Sequence, residues 1–206
     1  MSDSTRILAI RHGQTAWNAN GRIQGHQDIG LDDTGLWQAE RLAEALHGEQ
    51  LHALYSSDLL RARQTAQPLQ RISAEPMCLD TGLRERSFGS LEGLTFAEIE
   101  KGWPQEAARW RQRDASFAPG GGETLKAFYA RCVATAGRLA AAHAGQTIVL
   151  VSHGGVLDML YRAAARLDLA APRTWELGNT SVNRLLYSAE GFSIVGWNDR
   201  MHLENL

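Results

Sequence analysis

Two stretches of this chain concentrate residues that could do chemistry. In LAIRHGQTAWN, residues 8–18, an apolar run stops abruptly at Arg11, His12 and Gly13. In VLVSHGG, residues 149–155, a second apolar run stops at His153, Gly154 and Gly155. A buried strand that ends in histidine and glycine is commonly structural. Two in matching contexts, one beside an arginine, read equally well as an anion site. Ligands of open α/β sheets bind outside the carboxyl ends of the strands. If the two strands are neighbours, both histidines face one crevice. Gly13, Gly154 and Gly155 would let backbone N–H groups approach a ligand, and a helix starting near Gly155 would aim its positive end at the anion.

The elements that must position these residues follow from periodicity. Residues 5–11, ALYSS at 53–57, MCLD at 77–80 and TIVLVS at 147–152 read as strands, the last apolar enough to be buried on both faces. Helical patterns cover 34–48, with Leu36, Ala39, Leu42, Ala43 and Leu46 on one face and Asp32, Asp33 or Thr34 as N-cap. Further helices are predicted over 58–72, kinked at Pro68, and over 123–143 and 155–167. SVNRLLYS and FSIVGWN form a hairpin pattern around Ala189-Glu190-Gly191. Residues 86–121 mix Gly, Pro, Trp and charge and read as a lid-like insertion with short helices. The expectation is a single domain over 1–206, a three-layer α/β/α sandwich with a mostly parallel sheet.

Composition narrows the function. The 206 residues carry 21 Lys+Arg against 23 Asp+Glu, a formal net charge of -2. That balance argues against a nucleic-acid binder, which needs a basic surface. Cys78 and Cys132 fit neither a disulfide framework nor a zinc pattern. No signal peptide or membrane span is expected, so the chain reads as cytoplasmic. His26, Asp28 and the two cysteines read as structural or exposed.

RHGQTAWN with GRIQG, SSDLLRARQTA at 56–66, LRERSFGSLEG at 83–93 and LVSHGG at 150–155 resemble, in order, the motifs of the histidine phosphatase superfamily, the phosphoglycerate-mutase-like group. The resemblance implies a six-stranded, mostly parallel sheet with one antiparallel strand. It makes His12 a nucleophile that forms a phosphohistidine, a covalent intermediate that splits one difficult step into two. The other ring nitrogen then needs a fixed acceptor; the sequence does not identify it. Arg11 and Arg61 become phosphate arginines, each a guanidinium fork matching phosphoryl oxygens. Arg63 reads as solvated. Protonated His153 becomes a third cationic wall, and Glu85 the acid that protonates the departing alkoxide and later draws a proton from water. Without the motif, Glu85 would read as a surface carboxylate paired with Arg84 or Arg86. Asn18, Gln24 and Gly154 match weaker substrate-binding positions. Thr15 and Ser57 are open candidates. No metal or other cofactor is implied, because arginines replace the cation.

The RERSFGSLEG form, with Phe88 where mutases of the group resemble a Tyr-bearing pattern, is similar to the phosphatase branch. The expected function is hydrolysis of a small phosphorylated metabolite, with phosphoglycerate mutase as the alternative and a non-catalytic phospho-ligand-binding protein behind it. Lys101, Arg109, Arg111 and Arg113 could serve carboxylate recognition, and Trp103 and Trp110 could pack the insertion as a lid. A serine hydrolase is disfavoured because no G-x-S-x-G elbow exists. Exposed residues of the late hairpin could pair two copies in a homodimer.

Overall fold

The computed structural model describes residues 4–204. Six strands form one sheet: β1 (Thr5–Arg11), β2 (Ala53–Ser56), β3 (Cys78–Leu79), β4 (Thr147–Ser152), β5 (Val182–Ser188) and β6 (Gly191–Asp199). Their order is β3-β2-β4-β1-β5-β6. The first four in that order pair in parallel, while β5 runs antiparallel to both of its neighbours. One strand therefore opposes five. Helices α1 (Ala16–Ala19), α2 (Asp33–Ala45), α3 (Leu60–Ala66), α4 (Phe96–Gly102), α5 (Pro104–Arg111), α6 (Leu125–Ala141) and α7 (Gly154–Ala165) complete the chain.

Strand alternation sorts the core into two layers. Ile7, Ala9, Ile148 and Leu150 pack with Phe128, Ala136, Leu157 and Leu160 of α6 and α7. Leu8, Ile10, Val149 and Val151 pack on the opposite face with Leu42, Ala62 and Ala66 of α2 and α3. Every residue of β4 is buried. The continuous apolar run at 147–152 is thus a strand covered on both faces, and β1 lies against it with Arg11 opposite Ser152.

Three local expectations are corrected. Leu36 is 45% exposed; the first turn of α2 turns Gly35 inward instead. A Cβ on Gly35 would lie 2.0 Å from the Gln14 carbonyl oxygen, so only glycine lets α2 approach the loop after His12 so closely. Gly13 meets the same contact from the other side, where its Cβ would sit 2.7 Å from the Gly35 carbonyl oxygen. The 58–72 segment is not one kinked helix. Pro68 cannot donate to the preceding turn, so α3 ends at Ala66 and a 3-10 turn covers Pro68–Arg71. Arg63 is half-buried rather than solvated. Within 86–121, α4 and α5 enclose a small core of Leu91, Ile99 and Ala107, with Ile23 and Trp110 against it. Trp110 stacks on Phe88 at 4.8 Å, whereas Trp103 stays exposed. Among the described residues, no helix is long and apolar enough to cross a membrane.

Candidate active site

The parallel pairing of β1 and β4 brings the two histidines together. His12 donates its backbone N–H to the Ser152 carbonyl at 2.9 Å. The His12 and His153 rings lie 5.2 Å apart, centroid to centroid. A cavity of ≈ 170 Å³ opens beside them, lined by Arg11, His12, Asn18, Gln24, Arg61, Glu85 and Gly154 among others. His153 lies behind its wall, fully buried.

The His12 ring is fixed by its own neighbour. Its Nδ1 is 2.7 Å from the Gly13 carbonyl oxygen. A carbonyl can only accept, so Nδ1 carries the proton and Nε2 keeps its lone pair. Burial first, then the charges of Arg61 and Arg11, push the His12 pKa well below its ordinary value. The imidazole is neutral at pH 7. The same forces act on His153: burial first, then Arg61, His12, His26 and Arg11 lower its pKa well below normal. In the resting protein this disfavours the protonated His153 that the sequence leads one to expect. Taking a third cation out of water beside two guanidinium groups is too unfavourable.

Arg61 sits in the first turn of α3 with no exposed surface. Asp28, which reads as structural, caps that helix by accepting from the Leu60 N–H at 2.6 Å. The Arg61 guanidinium donates to the Gln27 and Gly25 carbonyls, both at 2.8 Å. Desolvation lowers its pKa to about 10, so it remains a cation at neutral pH. Arg11 donates to the Leu177 carbonyl at 2.5 Å, and desolvation lowers its pKa more than the charge of Glu85 raises it. Neither arginine has a carboxylate within ion-pair distance among the described residues. The Nε atoms of Arg11 and Arg61, His153 Nδ1 and Gln24 Oε1 are all buried without a hydrogen-bond partner. Buried polar groups are rarely left so. The two arginine N–H groups that line the cavity call for a ligand with acceptor atoms, whereas Gln24 Oε1 is itself an acceptor and calls for a donor.

Glu85 does not pair with either adjacent arginine. Arg84 grips Asp58, with Nε–Oδ1 at 2.7 Å, and Arg86 donates to the Glu123 and Phe117 carbonyls. The Glu85 carboxylate instead accepts from the backbone N–H of Arg86 at 2.8 Å and of Gly155 at 3.0 Å. That corrects one expectation: the N–H of Gly155 serves Glu85, and that of Gly13 donates to Thr65 Oγ1. Of the three glycines only Gly154, the first residue of α7, lines the cavity. The Glu85 carbonyl is braced by His26 at 2.8 Å and by Arg131 at 3.2 Å.

Asn18 spends its side-chain oxygen on Thr15, closing a capping box on α1, which leaves its amide N–H groups for the cavity. Thr15 itself is a cap, not a ligand group. Several residues at the site escaped sequence reading. Arg22, Ile23 and Gly25 line the cavity beside Phe88, which the motif comparison singles out, and Asn179 donates to the His12 carbonyl at 2.9 Å. The GRIQG stretch flagged the first three only by adjacency; nothing in the sequence flagged Asn179. Lys101, Arg109, Arg111 and Arg113 do not line the cavity. The three arginines pair with Asp114, Glu100 and Asp158. No group of three or more His, Cys, Asp or Glu among the described residues is arranged to hold a metal ion.

Known proteins resemble this chain along most of its length. A family model described as histidine phosphatase superfamily (branch 1) matches residues 7–200. Phosphoglycerate mutase-like protein 4 of Arabidopsis thaliana is 40% identical, over 98% of this chain and 88% of its own length. The metal-independent phosphoserine phosphatase of the same plant is 35% identical, over 100% and 86%. The solved structure of a mycobacterial glucosyl-3-phosphoglycerate phosphatase with VO3 superposes with a TM-score of 0.84 at 34% identity, covering 94% of this chain and 98% of that one.

Proposed function

The chain belongs to the histidine phosphatase superfamily, and from that premise we propose that it hydrolyses the phosphomonoester of a small metabolite through phospho-His12. The observation that carries this reading is the pair of buried, unpartnered guanidinium Nε atoms of Arg11 and Arg61, which line the same cavity as His12, whose Nε2 keeps its lone pair. Nε2 attacks phosphorus in line with the departing ester oxygen. Glu85, held by two backbone N–H groups, gives that oxygen its proton. Water then attacks the phosphohistidine while Glu85 takes its proton, which releases orthophosphate and restores both His12 and the protonated Glu85 for the next turnover. Arg11, Arg61 and His153 hold the three non-bridging oxygens over which charge is spread. Loss of one such preorganised donor costs roughly 10²–10³ in rate. Asn18, Gln24 and the N–H of Gly154 bind the same group.

Hydrolysis is favoured over mutase transfer because three cations of the insertion are engaged elsewhere and the fourth, Lys101, does not line the cavity. A mutase must grip the substrate carboxylate while it returns the phosphoryl group, and Arg109, Arg111 and Arg113 are already ion-paired. Phosphoserine and glucosyl-3-phosphoglycerate, the substrates named for two relatives, are the first esters to assay. A panel of phosphomonoesters run with and without 2,3-bisphosphoglycerate tests the reading. Release of orthophosphate without the bisphosphate is expected. Faster isomerisation of phosphoglycerate than phosphate release would make the chain a mutase.

A further inference from the structure

Neutral His153 raises a question that the phosphatase reading leaves open. A neutral imidazole offers one N–H, and it assists a phosphoryl group only if that N–H is on the ring nitrogen that has no partner in the protein. The surroundings of Ser57 decide which nitrogen carries it.

Ser57 follows β2 directly and has no exposed surface. Its backbone N–H is tied to the Val151 carbonyl of β4 at 2.9 Å, and its carbonyl accepts from Ser56 Oγ at 2.8 Å. Its hydroxyl oxygen accepts from the Leu59 N–H at 3.4 Å and lies 2.8 Å from His153 Nε2. A serine hydroxyl has one hydrogen and two lone pairs. The Leu59 N–H uses one lone pair. If Nε2–H donated to the other, the hydroxyl hydrogen would be buried with no acceptor among the described residues. If the hydroxyl donates to Nε2, the hydroxyl and Nε2 are both satisfied, the imidazole proton must sit on Nδ1, and only that N–H is left for a ligand. That nitrogen is the one left buried without a partner.

We propose that Ser57 is a positioning residue: its hydroxyl donates to His153 Nε2 and fixes the imidazole as the Nδ1–H tautomer, a neutral donor to a phosphoryl oxygen. The consequence is electrostatic. Two arginines supply two positive charges, matching a phosphomonoester dianion, and the third oxygen is held by a donor that adds no charge. Burial and the flanking cations that keep His153 neutral act in the same direction. The inference rests on the phosphatase reading for its role in turnover, but the tautomer itself belongs to the resting protein.

Nitrogen-15 NMR of the full chain at pH 7 tests it. The expected His153 signature is a protonated Nδ1 and an unprotonated Nε2. A protonated Nε2, or both nitrogens protonated, would overturn the proposal whatever the enzyme turns over. In Ser57→Ala the tautomer preference should be lost, and kcat should fall roughly 10–100-fold, the range seen for groups that orient a ligating histidine, with KM changed less. Ser57→Thr keeps the hydroxyl and should recover most of the rate. Wild-type kcat in Ser57→Ala would overturn the proposal. If a variant fails to fold, the wild-type spectrum still decides the tautomer. An Nδ1–H tautomer in a protein that cleaves no phosphomonoester would refute the phosphatase reading and leave the assignment of Ser57 standing.

Discussion

Gly155→Ala should separate catalysis from stability. An added Cβ would stand 2.0 Å from Glu85 Oε1, 3.0 Å from its Cδ and 3.1 Å from Phe128 Cε1. Non-bonded heavy atoms settle near 3.5 Å, so the carboxylate must retreat by roughly 1.5 Å. The obstacle is the far end of a flexible, half-buried side chain, and it can move outward. The helical residue also changes from glycine to alanine, which favours α7 by about 0.5–1 kcal/mol. Stability should therefore change little. Glu85, however, would lose its place and its bond from the Gly155 N–H. A misplacement of about 1 Å can cost 10²-fold, and complete loss of acid assistance costs roughly 10²–10⁴. The loss should depend on the leaving group. An alkyl phosphate departs as a strongly basic alkoxide and needs the proton; p-nitrophenyl phosphate departs as a weak base and needs little. The assay is the single-turnover burst for both esters, beside a thermal melt. A wild-type burst with the alkyl ester would refute the role of Glu85, and an equal loss for both esters would make the defect something other than acid catalysis.

Three more outcomes follow from the same geometry. His12→Ala should abolish turnover, and wild type quenched in mid-reaction should carry acid-labile phosphate on His12; phosphate release by the variant at the wild-type rate would remove the covalent step. All three buried histidines, His12, His153 and His202, have folded pKa values depressed below the unfolded value near 6.5. The unfolded chain then binds protons first, so stability is full above pH 6.5 and falls as pH drops below it, approaching about 1.4 kcal/mol per pH unit for each histidine. Denaturant titrations at pH 7 and 5.5 check this, and equal stability at both values would mean the rings take up protons in the fold as readily as in the unfolded chain. Activity should persist in EDTA and be blocked by vanadate, a mimic of pentavalent phosphorus; loss on chelation, restored by a divalent ion, would point to metal catalysis instead.

Much of this molecule is local and therefore legible in its sequence. Side-chain periodicity marks β1, β4 and α6 because alternation and the 3.6-residue repeat act over a few neighbours. His12 and His153 could be read as a pair because each closes an apolar strand, and the carboxyl ends of parallel strands converge. Tertiary structure decided what depends on distant partners. Glu85 is a poised carboxylate rather than half of a surface ion pair because Gly155, seventy positions away, donates to it and Asp58 takes Arg84. The proton on His12 sits on Nδ1 because the chain turns so that the Gly13 carbonyl meets the ring. Burial and two guanidinium groups together push the His153 pKa down, and a shift set by burial has no signature in local sequence. Leu36 looked like core, yet the close approach of Gly35 to Gln14 turned it out to solvent. Propensity and pattern are properties of neighbours in sequence; pKa, hydrogen-bond partner and burial are properties of neighbours in space, and only the packed chain brings those together.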